Sequence, residues 1–193
     1  MPNFTKKEIK RSFIKLLNEQ PLNQISVRDI VEDCGINRNS FYYHFQDIPA
    51  LIEEIFIEES ENLIKKYPKV DDLDACVDSI FQLSMKNKKA LLNIFHSVNR
   101  DIYEQYTMRL CETFVTKYVY TVFGQYMINE RDRNICIWSI KCELFGILID
   151  CCTNGLREDY IDDIHRLLEL SYGIPQMIIK QSNERSANLE NSN

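Results

Sequence analysis

Apolar residues along this chain recur at helical spacing from the first residues almost to the last. Thr5 with Glu8 reads as a capping box, followed by Ile9, Phe13, Leu16 and Leu17 as the stripe of a first helix ending near Asn18. Ser26 with Asp29 opens a second, short helix whose apolar face is Val27, Ile30 and Val31. Gly35 ends it, because a residue without Cβ takes the left-handed conformation that a sharp turn needs. Ile36 then plugs the angle, and Asn37 caps a third helix. In that helix Phe41 and Phe45 lie four residues apart and face inward, while Arg38, Asn39, Tyr42 and Tyr43 fall on the opposite arc. A helix this short cannot bury Phe41, Tyr42, Tyr43, His44 and Phe45 together, so some of them must face out. Asp47 caps a long helix from Ile48 to about Tyr67, with Leu51, Ile52, Ile55, Phe56 and Leu63 inward and Pro68 as its stop.

Further helical patterns run over 72–85, 89–98, 100–125, 131–154 and 159–181, with Gly173 and Pro175 expected to bend the last. Gly146 sits inside the helix over 131–154, where glycine costs about 1 kcal/mol against alanine and often permits close helix approach. No strand-like alternation persists, no internal repeat is present, and no linker is rich in glycine or serine. The fold class is therefore all-α: an N-terminal three-helix module over 1–47, a larger helical domain over 48–182, and a polar, disordered tail over 183–193.

Two capped helices around Gly35 form the outline of a helix-turn-helix, and the outward groups of its second helix suit DNA. Arg28, Asp29 and Ile30, then Gly35 and Ile36, then Phe41, Tyr42, His44 and Phe45, then Leu51 together resemble the signature of the TetR/AcrR transcriptional regulators. The match covers about the first fifty residues and is specific as a set. Leu144 to Tyr160, LFGILIDCCTNGLREDY, is similar to the late helix and turn of one TetR subgroup. The resemblance implies base contacts from Arg28, Arg38, Asn39 and Ser40 and phosphate contacts from Tyr42 and His44. Chemistry agrees: guanidinium groups pair bidentately with guanine, amides pair with adenine, and hydroxyls and imidazoles hold the backbone. With the capping residues and Tyr43, the expected DNA-contacting set is Ser26, Arg28, Asn37, Arg38, Asn39, Ser40, Tyr42, Tyr43 and His44. One departure stands out. Where the family carries a phosphate-gripping lysine, this chain has Ile48 followed by Pro49, and one lost phosphate contact lowers the salt slope by about one.

Net charge is −6, an unpromising balance for a polyanion's partner until its distribution is considered. Residues 1–47 are nearly neutral, with Lys or Arg at 6, 7, 10, 11, 15, 28 and 38 against acids at 8, 19, 29, 32, 33 and 47, so the excess acid lies in the remainder. An acidic body behind such a head suppresses indiscriminate electrostatic binding. The seven cysteines, at 34, 76, 111, 136, 142, 151 and 152, contain no Cys-x-x-Cys and are expected as free thiols in a reducing cytoplasm. The chain opens with charge and an amphipathic helix rather than a signal peptide, and the apolar run over 144–149 is far shorter than the roughly twenty residues that span a bilayer. The sequence holds no His-Glu-x-x-His, no phosphate loop and no dinucleotide fingerprint. Paired Glu-x-x-His motifs are also missing, the nearest approach being Asp162-x-x-His165. No enzyme, no metal and no cofactor is expected.

By resemblance, the body holds an inducer pocket, with Phe81, Met85, Phe95, His96, Tyr103, Cys111, Phe114, Trp138 and Cys142 as lining residues, each also explicable as core. The last two long helices, carrying Ile137, Ile140, Leu144, Ile147 and Leu148 and then Ile161, Ile164, Leu167 and Leu168, are expected to form the family's four-helix homodimer interface. The expected function is thus a cytoplasmic, ligand-responsive repressor that binds a palindromic double-stranded DNA operator as a homodimer. Two alternatives remain open: a TetR-like regulator or coactivator working mainly through a protein partner, and a redox-sensing regulator using its cysteines. Head spacing is expected to be set through the helix from Ile48 to Tyr67, as the one long rigid element touching both regions.

Overall fold

A computed structural model describes residues 2–97, 100–124, 126 and 128–190. Among these the chain forms ten α-helices and two short 3-10 turns, with no strand.

Helix α1 (Pro2–Glu19) begins earlier than the Thr5 capping box suggests. Thr5 lies inside it and Glu8 pairs with Arg11 instead, because Pro2 already suits a helix's first turn. Ile9, Phe13 and Leu17 form its buried stripe. Pro21 then stops it, since the residue before a proline is pushed out of the helical region, and a 3-10 turn (Leu22–Gln24) leads on. Helix α2 (Val27–Cys34) opens on the expected capping box: the Asp29 amide donates to Ser26 Oγ at 3.3 Å and the Ser26 amide to Asp29 Oδ2 at 2.8 Å. The hydroxyl and amide of Ser26 hold the Asp29 carboxyl below the usual carboxylate range. Gly35 closes α2 in the left-handed region, at φ 67°.

Helix α3 (Arg38–His44) starts at Asn37, whose Oδ1 accepts from the Ser40 amide at 2.8 Å. Asp47 does the same for α4 (Ile48–Lys66) through the Ala50 amide, also at 2.8 Å. Ile9, Phe13, Leu17, Ile25, Ile30, Val31, Phe41, Phe45 and Leu51 share one apolar cluster with Ala90 of the body, which fixes α3 against α1 and α4.

The body comprises α5 (Leu73–Lys86), α6 (Lys88–Ser97), α7 (Arg100–Phe123), α8 (Glu130–Thr153), α9 (Tyr160–Leu170) and α10 (Ile174–Glu190). Residues 98 and 125, expected as the ends of two of these helices, lie outside the described residues. Val115, Val119 and Ile137 join α7 to α8, with Phe114, Phe123 and Leu144 packed around them. Gly155 at φ 75° and Leu156 at φ 51° make a left-handed turn after α8. Leucine seldom adopts this conformation. Here it is held by burial of the side chain and by the Leu156 amide, which donates to the Cys151 carbonyl at 2.7 Å.

Two expectations are corrected. The last helical pattern is broken rather than bent, because Gly173 takes φ 84° and separates α9 from α10. Helix α10 then runs to Glu190, into the segment expected as a disordered tail, since a helix once nucleated propagates cheaply through residues that include neither glycine nor proline; residues 191–193 lie outside the described ones. A Cβ built on Gly146 meets none of the described residues within 4 Å.

Candidate nucleic-acid interface

The outer arc of α3 is open. Tyr42 is 56% and Tyr43 78% exposed, and Arg38 and Asn39 are exposed beside them, whereas Phe41 and Phe45 are buried as their spacing predicts. Tyr42 stands edge-on to Phe41 at 5.5 Å between ring centres, so the buried ring orients the exposed one. His44 is half-buried, its ring 4.9 Å from that of Tyr43.

Other members of the expected set are engaged within the protein. Ser26 is bound in its capping box, its hydroxyl 2.6 Å from Asp29 Oδ2. Asn37 Oδ1 accepts from both the Ser40 amide and, at 3.1 Å, the Ser40 hydroxyl. These three position helices α2 and α3. Arg28, exposed on α2, donates through Nε to Glu32 Oε1 at 2.6 Å, which leaves its two terminal nitrogens free to face a base pair or phosphate.

The electrostatics of the head are legible only from the fold. Lys6 pairs with Glu54 at 2.7 Å, and Lys10 with both Glu54 at 3.5 Å and Glu58. Arg11 pairs with Glu8 at 2.6 Å and Lys15 with Asp33 at 2.5 Å. Such surface pairs contribute little to stability, but each sets a carboxylate beside a cation of the head. Hydrogen bonding to Lys6 in turn holds the Glu54 carboxyl below its ordinary range. Among the described residues, no carboxylate pairs with Arg38 at the start of the recognition helix. Sequence could count these charges but not pair them, because the carboxylates of α4 lie more than forty positions away. Ile48, in the place of the family's lysine, packs against the head's apolar cluster.

Of the expected pocket residues, Cys111 is buried and Phe81, Met85, Phe95, Tyr103 and Phe114 are half-buried. Phe95 and Tyr103 meet edge-on at 5.1 Å, and the Tyr103 hydroxyl lies 3.9 Å from Cys152 Sγ. His96, Trp138 and Cys142 are exposed. Helix α8 turns Ile137 and Leu144 toward α7, which leaves Trp138 on another arc at 63% exposure. A shallow surface groove of about 490 Å³ lies there, lined by Glu130, Arg131, Asn134, Ile135 and Trp138. All seven cysteines are free, and burial raises the thiols of Cys76, Cys111 and Cys151 to about 11.

Helix α4 is not the sole bridge between head and body. Helix α6 packs directly on α1, with Asn93 Nδ2 donating to the Leu17 carbonyl at 2.7 Å, while α4 is itself tied to α7 by the Tyr106 hydroxyl, which donates to the Pro49 carbonyl at 3.2 Å, and by Lys117 with Glu61 at 2.7 Å. These contacts follow from the tertiary fold and have no local signature.

Head and body together define a helical, two-part regulator that carries a helix-turn-helix. Residues 14–55 match the model of bacterial regulatory proteins of the tetR family, and residues 71–173 match that of a transcriptional regulator C-terminal region. The chain belongs to the TetR family of DNA-binding transcriptional regulators. It is similar to the HTH-type transcriptional regulator SAS2464 of Staphylococcus aureus (strain MSSA476), with 23% identity over 168 residues, 79% of this chain and 90% of that protein. A shorter match, 26% over 65 residues, links 34% of this chain to 17% of the uncharacterized HTH-type transcriptional regulator YxbF of Bacillus subtilis (strain 168). Among solved structures, the dihydroxyacetone kinase operon activator DhaS superposes with a TM-score of 0.64 at 21% identity, over 88% of this chain and 97% of that one. NalD, the secondary repressor of the MexAB-OprM multidrug efflux pump in Pseudomonas aeruginosa, gives 0.51 at 18% identity, over 89% and 96%. These two likenesses concern the fold. Among the described residues, no helix is long and apolar enough to cross a membrane.

Proposed function

We propose that the protein is a ligand-responsive repressor that reads a palindromic operator as a homodimer in the cytoplasm, with head and body divided near residue 47. The exposed arc of Arg38, Asn39, Tyr42 and Tyr43 carries the DNA-reading part of this proposal, because a side chain reads base edges only where neither core nor cap has claimed it. Arg28 joins that arc as a second guanidinium. One recognition helix spans too few base pairs for a unique site, and two-fold proteins match two-fold operators.

Helices α8 to α10 supply the surface for pairing. Ile135, Trp138, Leu167, Leu170, Tyr172, Ile174 and Met177 are all exposed in the single subunit, and large contiguous apolar patches mark association sites. Static light scattering at micromolar concentration is expected to give twice the chain mass, and Leu170→Glu with Met177→Glu to give the single mass. A wild-type monomer that protects one half-site at full affinity defeats the dimer.

Half-buried Phe81, Met85, Phe95, Tyr103 and Phe114 with buried Cys111 are the proposed pocket lining. The sign of control is separately testable, since one structural neighbour is an activator and another a repressor; a promoter–reporter fusion is expected to rise on deletion of the regulator.

A redox trigger at Cys76, Cys111 or Cys151 has less support, because thiols buried and pushed up to about 11 are poor nucleophiles at neutral pH. Operator binding, measured against a metabolite panel under reducing conditions and again after mild peroxide, is expected to respond to a small molecule even with all cysteines replaced. Release by peroxide alone rejects the pocket.

A further inference from the structure

The C-terminal end of α1 is finished by the body. The Gln20 amide donates to the Leu16 carbonyl at 2.9 Å. The next carbonyl, that of Leu17, would take the amide of residue 21, but that residue is Pro21 and has no N–H. Leu17 is 3% exposed, so bulk water is not a ready substitute, and a buried carbonyl without a donor is costly. Asn93 of α6 fills the gap: its Nδ2 donates to the Leu17 carbonyl at 2.7 Å. One turn further along α6, Ser97 Oγ accepts from the Leu22 amide at 3.1 Å and donates back to the Asn93 carbonyl. Ala90 and Ile94, on the same helix, belong to the head's apolar cluster.

We propose that Asn93, supported by Ser97, is a positioning residue for DNA reading: a body side chain that completes a head helix and so fixes the orientation of α3. This rests on the head being the DNA-contacting module. Helix α3 shares its core with α1 through Phe41, Phe13 and Ile9, so whatever fixes the end of α1 fixes the recognition helix. The device is coded in the chain itself, because Pro21 creates the bare carbonyl that only a side chain from outside the head satisfies. Letting go is not gradual, since Asn93 either bonds Leu17 or leaves it unpaired.

The test uses the full chain as wild type, Asn93→Ala, Pro21→Ala and the double variant. Amide exchange over residues 17–25 reads the clamp, and affinity for a duplex selected from a random library, against random duplex, reads the positioning. Asn93→Ala is expected to speed exchange at Leu22 and Ile25 and to weaken binding of the selected duplex roughly tenfold, with random duplex changed by no more than about twofold, because a single head gripping phosphate needs no fixed orientation. Pro21→Ala restores an amide and frees Gln20 to continue the helix. The same Asn93→Ala change is therefore expected to cost much less in that background. Equal costs in both backgrounds overturn the proposal, as does an equal loss on selected and random duplex, or faster exchange throughout the chain. If the wild type selects no duplex, the DNA assignment fails by itself and the exchange cycle alone decides the clamp.

Discussion

Phe41→Ala is expected to abolish operator binding by unfolding the head rather than by removing a DNA contact. Phe41 is 0% exposed and touches the cluster that joins α1, α2, α3 and α4. Deleting a buried phenylalanine side chain costs about 3–5 kcal/mol through lost burial and the cavity left behind, a large share of the roughly 5–15 kcal/mol that holds a typical domain. The head has few other large side chains to close over the gap, since its cluster is built mainly from Ile, Val and Leu around Phe13, Phe41 and Phe45. Amide exchange should therefore accelerate across α1 to α3 while the α7–α8 pair, centred on Val115, Val119 and Ile137, keeps its protection. A variant that keeps head protection and loses only DNA affinity would show instead that the ring acts at the DNA surface.

The second large effect separates two kinds of contact on α3. Arg38→Ala is expected to weaken operator binding by about 1–3 kcal/mol per subunit and to relax the preferred base at one position of each half-site, provided the guanidinium reads a guanine. Arg38 is exposed and without an ion-pair partner among the described residues, so its removal leaves no carboxylate stranded and the measured loss belongs to DNA. Tyr42→Phe is expected to weaken operator and random duplex alike, because a hydroxyl on phosphate carries no sequence information. Binding titrations on both duplexes at one fixed salt concentration distinguish them. The same ratio of losses for both variants would erase the division into base and phosphate contacts.

Local grammar made much of the head legible before any fold was known. Ser26, Asn37 and Asp47 cap three helices through bonds that span three residues, and Gly35 needs only its own φ to end α2. The inward pair Phe41 and Phe45 follows from spacing alone. What depends on partners distant in sequence was illegible. Lys10 meets Glu58 and Asn93 meets Leu17 only after α4 and α6 fold back along α1. The same holds for Trp138, which the phase of α8 sets on the outside, beside a shallow groove. At Gly173 the difference is one of degree: a glycine two residues before Pro175 predicts a bend, and its left-handed φ makes a break. Among the expected DNA contacts, Ser26 and Asn37 also serve as caps, and in the fold Ser40 joins Asn37 at the start of α3.

The paired lysines and arginines of the head bear on how such a protein searches. A regulator ordinarily spends most of its time on wrong sites, held there by phosphate attraction, and slides along them. With Lys6, Lys10, Arg11 and Lys15 already answered by carboxylates of their own chain, that attraction is expected to be weaker than the number of cations suggests. Such a molecule is expected to hop through solution more than it slides, with fewer copies sequestered by the chromosome. On the proposed function, a cell would then occupy one operator with few molecules, and a modest change in their number or in their affinity would be felt at the promoter at once.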